Sequence, residues 1–349
     1  MINSTSNADF VSLDISNPQW MELVCSDNRA TVFHHPAWIE LLANCYRYHP
    51  IVVAVLDKKG EIRAGLPVME INIPFSGRRW VALPFSDYCS PLYRDDEALN
   101  MLFNRLPVLY KENHLRGLEV RREVPANFGL QVQAPYVLHT VKLEPDITLL
   151  TKRIHRTQMQ NIRTAEKNEI RIEFSTDIQA VHSFYHLHCL TRRKHGVPVQ
   201  PWKFFRLISS DLLAKGMGFV LLAFKGEACV AGGLFLHLQK TLTYKYSASD
   251  EEYLNLRPNH LLTWTALKWG CENDFTYFDF GRADIGDEGL REFKRRWGAE
   301  ETPLAYSYLP SAPNEGGSGR FKSLLNSMIR RSPLWVCQLA GELLYRYAG

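Results

Sequence analysis

The chain has 349 residues, of which 46% are hydrophobic and 22% are charged. These fractions are ordinary for a globular protein, and the length suits two domains better than one. Lys and Arg number 41 against 37 Asp and Glu, and the net charge of +4 is too small to indicate a dedicated nucleic-acid-binding protein. No run of about 18 apolar residues occurs, so we expect no membrane-spanning helix.

The seven cysteines include no CxxC pair, and most lie among apolar residues. The N-terminal segment MINSTSNADF has no basic stretch followed by an apolar one, so we expect no secretory signal. Together these features favour reduced thiols and a cytoplasmic location. His182 and His186 lie four residues apart but have no HExxH motif or acidic partner, so no metal site is expected.

The first half of the chain predicts alternating helices and strands. A helix opens at Pro36 and runs to Cys45, and a hairpin then joins IVVAVL to IRAGLPVMEINI. The strand RRWVALP leads through the loop PFSDYCSPL to a helix near residues 95–113. The strand LRGLEVR closes the half.

The second half repeats this order. The strand RIEFS precedes a helix that ends before Gly196, and a further helix opens at Pro201. GFVLLAF and ACVAGGLFLHL form a hairpin, followed by the strand LTYKYSAS, a helix and the strand YFDFG. The shared pattern favours a tandem duplication, with two unrelated α+β domains as the alternative.

A basic segment connects the halves. From Asp146 to about residue 170, apolar positions recur with helical spacing, which predicts one amphipathic helix. Its cations form either a solvated face or a phosphate- and substrate-binding wall; the residues concerned are Arg153, Arg156, Arg163 and Lys167.

A Pro-, Gly- and Ser-rich linker follows Leu309 and leads to an apolar, basic tail. Pro333 splits this tail into two short helices. The tail either packs back on the first half or lies on the inner face of an anionic membrane through residues 321–349. The predicted domain bounds are 1–145, 146–310 and, for linker and tail, 311–349.

The stretch 242–299 predicts a strand, a loop, a helix that begins at Pro258, and a second strand. Such a unit holds a donor molecule at a helix N-terminus beside two splayed strands, because free amides and the helix dipole favour an anion there. Tyr244 and Tyr246 are two residues apart, so we expect them on one face of their strand and Lys245 on the other. Four residues near the helix start or after the second strand are the predicted donor-binding set: Arg257, Asn259, His260 and Arg282.

Several segments, taken in order, resemble the FemAB-like branch of the GNAT superfamily, also described as BioF2-like acetyltransferases or peptidoglycan bridge-forming aminoacyltransferases. They are NIRTAEKNEI, TRRKHGVPVQP, YKYSASD with RPNHLLTWTALKWG, and FDFGR with GLREFKRRWGA. The resemblance covers about residues 30–310 and is strongest over about residues 150–300.

The resemblance implies an α+β fold of two tandem GNAT-like domains, each a mixed, mostly antiparallel sheet flanked by helices, with the site in the cleft where they meet. It implies transfer of an acyl group to an amine without a metal. The donor is acyl-CoA or aminoacyl-tRNA, so tRNA is a predicted partner. The loop at Arg257 lacks the small residues of a CoA-binding loop, and Pro258 removes one amide, so the donor stays open.

Acyl transfer needs a partner for the oxyanion, a group that takes the amine proton and a stabilised leaving group. Lys294 matches the Phe-Lys segment of the resembling family and is the first candidate for charge stabilisation. A carboxylate at Asp87 suits the amine, and a tyrosine hydroxyl suits the oxyanion or leaving group. Asp279 either lines the cleft or fixes the loop that follows it. The predicted catalytic set is therefore Lys294, Asp87, Tyr246, Tyr244 and Asp279.

Two functions follow from these observations. The first is an N-acyltransferase or aminoacyltransferase that acts on a small-molecule or lipid-linked amine of a cell-envelope or exopolysaccharide precursor. The second is a non-catalytic scaffold of an envelope or exopolysaccharide assembly machine, built on a degenerate transferase fold.

Overall fold

The computed structural model describes residues 10–73, 77–312 and 326–347. Its contacts divide the chain into two units, the first formed by Met1–Ala134 with Leu304–Pro313 and the second by Pro135–Pro303 with Asn314–Ala348. The predicted domain bounds of 1–145, 146–310 and 311–349 stay a prediction. The predicted linker and the start of the tail, residues 313–325, lie outside the described residues.

The first unit is built on an antiparallel hairpin flanked by helices. Its elements are β1 (Phe10–Leu13), α1 (Pro18–Ser26), α2 (Pro36–Tyr46), β2 (His49–Leu56), β3 (Ile62–Ile73), β4 (Gly77–Val81), β5 (Leu92–Tyr93), α3 (Asp96–Glu112) and β6 (Gly117–Val120). The strand order is β1-β2-β3-β4-β6, with β5 on β3 and only the β4–β6 pair parallel. Residues Ser307–Leu309 add an antiparallel strand beside β6.

The second unit carries the stretch that the sequence singled out. Its elements are β7 (Gln131–Lys142), α4 (Ile147–Arg153), α5 (Arg156–Lys167), β8 (Ile170–Ser175), α6 (Ile178–His195), α7 (Trp202–Asp211), β9 (Gly218–Lys225), β10 (Ala228–Leu238), β11 (Thr241–Ser249), α8 (Pro258–Glu272), β12 (Tyr277–Asp284), α9 (Glu288–Arg295), β13 (Glu300–Leu309) and α10 (Leu334–Leu344). The first four residues of β7 and the part of β13 from Leu304 onward belong to the first unit. The strand order is β7-β12-β11-β10-β9-β8. The pair β11–β12 is parallel and the others are antiparallel.

Helices cover both faces of the second unit's sheet. Gly232 and Gly233 lie next to each other on β10, so they face opposite sides. A Cβ on Gly232 would come within 2.9 Å of Phe184 in α6, and one on Gly233 within 2.8 Å of Leu262 in α8. The glycine pair therefore lets a helix approach the strand closely on each face.

The basic segment after β7 differs from its prediction. It forms two helices, α4 and α5, instead of one, because Ile154 and His155 adopt an extended backbone that interrupts the helix. The His155 side chain accepts from the Thr157 amide at 3.3 Å and so serves as an N-cap. A histidine is an uncommon N-cap, so the break could not be predicted from the residues around it.

The described part of the tail packs on the second unit, a position that the sequence did not predict. Gly341 of α10 lies against the backbone of Val199, and the Arg192 guanidinium of α6 donates to the Tyr345 hydroxyl at 2.5 Å. Cys337 and Ile329 are buried in this contact. No helix in the described ranges is long and apolar enough to cross a membrane.

A buried histidine makes the stability of the second unit sensitive to acid. His188 of α6 is buried and shares a 2.8 Å hydrogen bond with Gln200 Oε1, and burial lowers the pKa of its imidazole to about 3. The folded state therefore keeps this ring neutral, whereas the unfolded chain takes up a proton below a pH of about 6.5. Stability is lost as the pH falls below that value, by up to about 1.4 kcal/mol per pH unit.

We expect His188→Gln to lose less unfolding free energy between pH 7 and pH 5 than the unmodified protein, as measured by urea titration at both values. The substitution also removes ring contacts, so the change with pH is the quantity to compare. His186→Gln, at an exposed position of the same helix, is the control and should keep the original pH dependence. An unchanged pH dependence in His188→Gln would assign the acid sensitivity to other groups.

Candidate functional site

A pocket of about 440 Å³ opens in the second unit where β11 and β12 part. The two parallel strands pair at Thr241–Thr243 and Tyr277–Asp279, and the described pairing ends there. The start of α8 and one side of α9 close the pocket. Its described lining consists of Tyr244, Lys245, Ser247, Leu254, Arg257, Pro258, Asn259, His260, Thr263, Phe280, Leu290, Phe293 and Lys294. The splayed strand pair beside a helix N-terminus, predicted from 242–299, is confirmed.

A β-bulge in β11 decides which side chains face this pocket. In the pairing with β10, Phe235 faces Tyr244 and Leu234 faces Tyr246, so Lys245 is an extra residue. Tyr244 and Lys245 line the pocket, whereas Tyr246 contacts rings of α6 and α7. The expectation that both tyrosines share a face was therefore wrong, because the bulge interrupts the two-residue alternation.

A second irregularity, in β12, holds Lys294. The pairing with β7 shifts between Asp279 and Arg282, and Gly281 adopts a left-handed backbone with φ +69°. The buried Asp279 carboxylate accepts from the Gly281 amide at 2.7 Å. The Lys294 ammonium donates to the carbonyls of Gly281 and Arg282, each at 2.9 Å. Asp279 thus shapes the turn whose carbonyls position the lysine.

Lys294 differs sharply from its basic neighbours in sequence. It is 5% exposed, although it belongs to the run Lys294-Arg295-Arg296. Arg295 and Arg296 instead form ion pairs with Glu292 at 3.0 and 2.8 Å on the partly exposed side of α9. A lysine is rarely buried unless it is paired or used, so its place in the pocket wall supports the role that the sequence suggested.

The start of α8 forms the other wall. Arg257 has a left-handed backbone with φ 64° and precedes Pro258, the first residue of the helix. The Asn161 amide group of α5 lies 3.1 Å from His260 Nε2, and burial together with the Arg257 charge lowers the pKa of His260 to about 4. His260 is therefore neutral at pH 7. Since an amide nitrogen only donates, Nε2 accepts and the ring proton sits on Nδ1.

Two buried polar atoms of this wall lack a hydrogen-bond partner among the described residues. They are Oδ1 of Asn259 and Nδ1 of His260. A buried polar group without a partner costs about 1–3 kcal/mol. A ligand that supplies an acceptor to Nδ1 and a donor to Oδ1 would recover that energy, so the wall is suited to bind a polar molecule.

The charge of the pocket is positive. Its described lining contains the cations Lys245, Arg257 and Lys294 and no carboxylate. The amino end of the fifteen-residue helix α8 adds the positive end of its dipole. Burial raises the pKa of Tyr244 to about 12, so its phenol stays protonated and donates to Ser247 Oγ at 3.1 Å. The pocket therefore favours an anionic ligand or an oxyanion.

Other predicted residues lie elsewhere. Arg282 places its guanidinium 4.0 Å from the centre of the Tyr136 ring and is not part of the described lining. Asp87 belongs to the first unit, where its carbonyl accepts from the Tyr306 hydroxyl. The grouping of Asp87 and Tyr246 with Lys294, and the cleft between the predicted domains, stay predictions.

The predicted phosphate wall also lies outside the described lining. Its four members are exposed on α4 and α5. Arg153 donates to the Lys142 carbonyl at 2.6 Å and pairs with Glu144 at 3.5 Å. The remaining three residues lie on α5, and their role in binding phosphate or substrate stays a prediction: Arg156, Arg163 and Lys167.

The sequence missed two residues of the site. Lys245 was assigned to the opposite face, and only the register between β10 and β11 reveals its position. Asn161 was noted as part of the Asn-Ile-Arg segment, but its contact with His260 joins residues 99 positions apart. Sequence order gives no sign of that contact.

Comparisons with known proteins identify a related domain and related sequences. Residues 152–295 match the family model described as an acetyltransferase (GNAT) domain. Two curated relatives are lipid II:glycine glycyltransferases. The one from Staphylococcus saprophyticus is 32% identical over 92 residues, and the one from Staphylococcus aureus is 32% identical over 75. These matches cover 24% and 20% of this chain and span only 22% and 18% of the relatives' length.

Solved structures show the fold. A crystal structure of FemX superposes with a TM-score of 0.67 at 15% identity, covering 85% of this chain and 96% of that one. A tandem GNAT protein from the clavulanic acid biosynthesis pathway gives a TM-score of 0.55 at 11% identity, covering 88% of this chain and 100% of that one. The predicted fold of two tandem GNAT-like domains with a C-terminal helical tail is confirmed.

The bulge yields a testable prediction about ligand binding. We expect Lys245→Met to weaken the binding of inorganic phosphate roughly tenfold in calorimetry, because a positive charge is lost from the pocket lining. Lys240→Met is the matched control, since Lys240 is exposed just before β11 and donates to the Asp274 carbonyl instead. Equal losses in the two variants would mean that Lys245 acts only through general charge.

Proposed function

Because residues 152–295 carry a GNAT domain of the FemAB-like branch, we propose that this protein transfers an aminoacyl group to an amine of a lipid-linked cell-envelope precursor. The observation that carries the proposal is the positive pocket at the parted strands, with Lys294 buried in its wall. The names of the glycyltransferase relatives support the aminoacyl group and a lipid-linked acceptor.

The start of α8 favours aminoacyl-tRNA over acyl-CoA as the donor. A pyrophosphate binds at a helix start through backbone amides that small residues leave accessible. Here Pro258 has no amide hydrogen, and the His260 amide already donates to the Arg257 carbonyl at 3.1 Å. Asn259 and His260 instead offer polar side chains, which suit the sugar hydroxyls and the ester of a charged tRNA end.

The proposed reaction exchanges an ester for an amide. The acceptor nitrogen attacks the carbonyl carbon of the aminoacyl ester, and a C–N bond forms. The bond between the carbonyl carbon and the ribose oxygen then breaks. The proton lost by the amine is delivered to that ribose oxygen, which leaves as a hydroxyl group. The carbonyl oxygen carries negative charge in between, so the reaction needs a preorganised positive partner.

The chain's own residues supply that partner. Lys294 is fixed by two carbonyl contacts, so its charge needs no reorganisation as the oxyanion forms. Tyr244 keeps its phenolic proton at neutral pH and offers a neutral donor in the same pocket. We assign charge stabilisation to Lys294 and hydrogen bonding of the oxyanion or leaving group to Tyr244. Arg257 and Lys245 are assigned to donor phosphates.

Acyl-CoA is the second candidate donor, and the description of the matching family model as an acetyltransferase domain favours it. The deciding experiment incubates the protein with an amine acceptor and either glycyl-tRNA or acetyl-CoA and follows the acceptor mass. A gain of one glycyl group supports the proposal, and a gain of one acetyl group replaces it by the second candidate. If neither group is transferred and neither donor raises the melting temperature, the result favours the scaffold interpretation.

We expect Lys294→Ala to lower turnover by about 10²- to 10³-fold, the range seen when an oxyanion donor is removed. Two carbonyls also lose their donor, so the unfolding free energy should fall by about 1–3 kcal/mol. The assay is therefore run well below the melting temperature of the variant.

Arg296→Ala is the control for Lys294→Ala, because Arg296 lies two residues away, pairs with Glu292 and is not part of the described lining. It should keep nearly full turnover. Normal turnover of Lys294→Ala on a folded protein would remove this lysine from the mechanism.

A further inference from the structure

Exposed apolar side chains concentrate in the tail. Of the twelve large hydrophobic residues that are exposed in the described chain, four lie within residues 326–347. Trp335 is 62% exposed, Met328 60% and Leu339 50%. Trp335 and Leu339 are four residues apart on α10, so they lie on the same face of the helix. The tail therefore presents a local apolar surface on α10, here called the tail surface and defined by Trp335 and Leu339.

The opposite side of the tail is already in use. Cys337 and Gly341 are buried four residues apart on α10, and Gly341 lies against Val199. Gln338 donates to the Cys189 sulfur of α6 at 3.5 Å. These contacts hold the helix in place, so the tail surface is turned outward as a consequence of packing. The exposure of Trp335 and Leu339 is therefore not the result of an unpacked helix.

The described tail carries a net positive charge, although Glu342 lies on the same face of α10 as Trp335 and Leu339. Arg330, Arg331 and Arg346 are exposed in the described tail, against a single acidic residue, Glu342. Two copies of such a surface would repel each other, which disfavours a dimer through this face. Tryptophan and arginine are suited to a membrane interface, because one end of each side chain is apolar and the other can meet water or lipid phosphate.

We infer that the tail surface docks the protein on an anionic lipid bilayer, with Trp335 and Leu339 entering the interface and the arginines meeting lipid phosphates. This inference does not depend on the reaction proposed above. A lipid-linked acceptor would give the docking a purpose, because it would bring the enzyme to the plane where its substrate is held.

The test is sedimentation of the full chain with vesicles, without any substrate. We expect binding to vesicles that contain about 30% phosphatidylglycerol, weak binding to pure phosphatidylcholine, and loss of binding at high salt. The double variant Trp335→Ser and Leu339→Ser should bind at least roughly tenfold more weakly. Ile285→Ser is the control, because Ile285 is 56% exposed outside the tail.

The charge component is tested by Arg330→Gln with Arg331→Gln, which should weaken binding to anionic vesicles only. Lys58→Gln with Lys59→Gln, an adjacent exposed pair in the first unit, should leave binding unchanged. Absence of vesicle binding, or equal binding by the Trp335 and Leu339 variant, overturns the inference. A concentration-dependent dimer that this variant abolishes, without vesicle binding, assigns the surface to a second copy instead. A chain that binds vesicles but transfers nothing keeps the inference and removes the proposed reaction.

Discussion

The early parting of β11 and β12 is the constraint on which the site depends. Two parallel strands that stayed paired would bury their backbone groups in a continuous ladder and leave no room for a ligand. Here each strand carries an irregularity just past the last pair, Lys245 in β11 and the turn at Gly281 in β12. The first brings a cation to the pocket. The second turns two carbonyls toward Lys294.

Much of this arrangement is readable from local sequence. Pro258 marks the first turn of α8, and alternating apolar residues mark both strands, so their order and the splayed pair follow from patterns of a few residues. The bulge does not, because alternation assumes that every residue of a strand has a partner. Which residue is extra in β11 depends on its register with β10. Lys245 and Tyr246 were therefore assigned to the wrong faces.

Other omissions have a similar origin. The strands β1, β5, β7 and β13 and the helices α1 and α9 were not predicted, although most of the other helices and hairpins were. Strand β7 contains Pro135, which argues against a strand, and β13 begins with two glutamates, so its start lacks the apolar alternation of a half-buried strand. Neighbouring strands stabilise such segments, and that contribution is invisible along the chain. The break between α4 and α5 at His155 was likewise not visible in the local sequence.

The burial of Lys294 connects fold and chemistry. A buried ammonium is costly unless polar groups surround it, and the Gly281 and Arg282 carbonyls are two of the groups that surround Lys294. The arginine–glutamate pairs of α9 lie on its outer side, and the described lining of the pocket contains no carboxylate. A lysine buried in this wall therefore fits the proposed role beside an oxyanion, which needs a fixed positive partner.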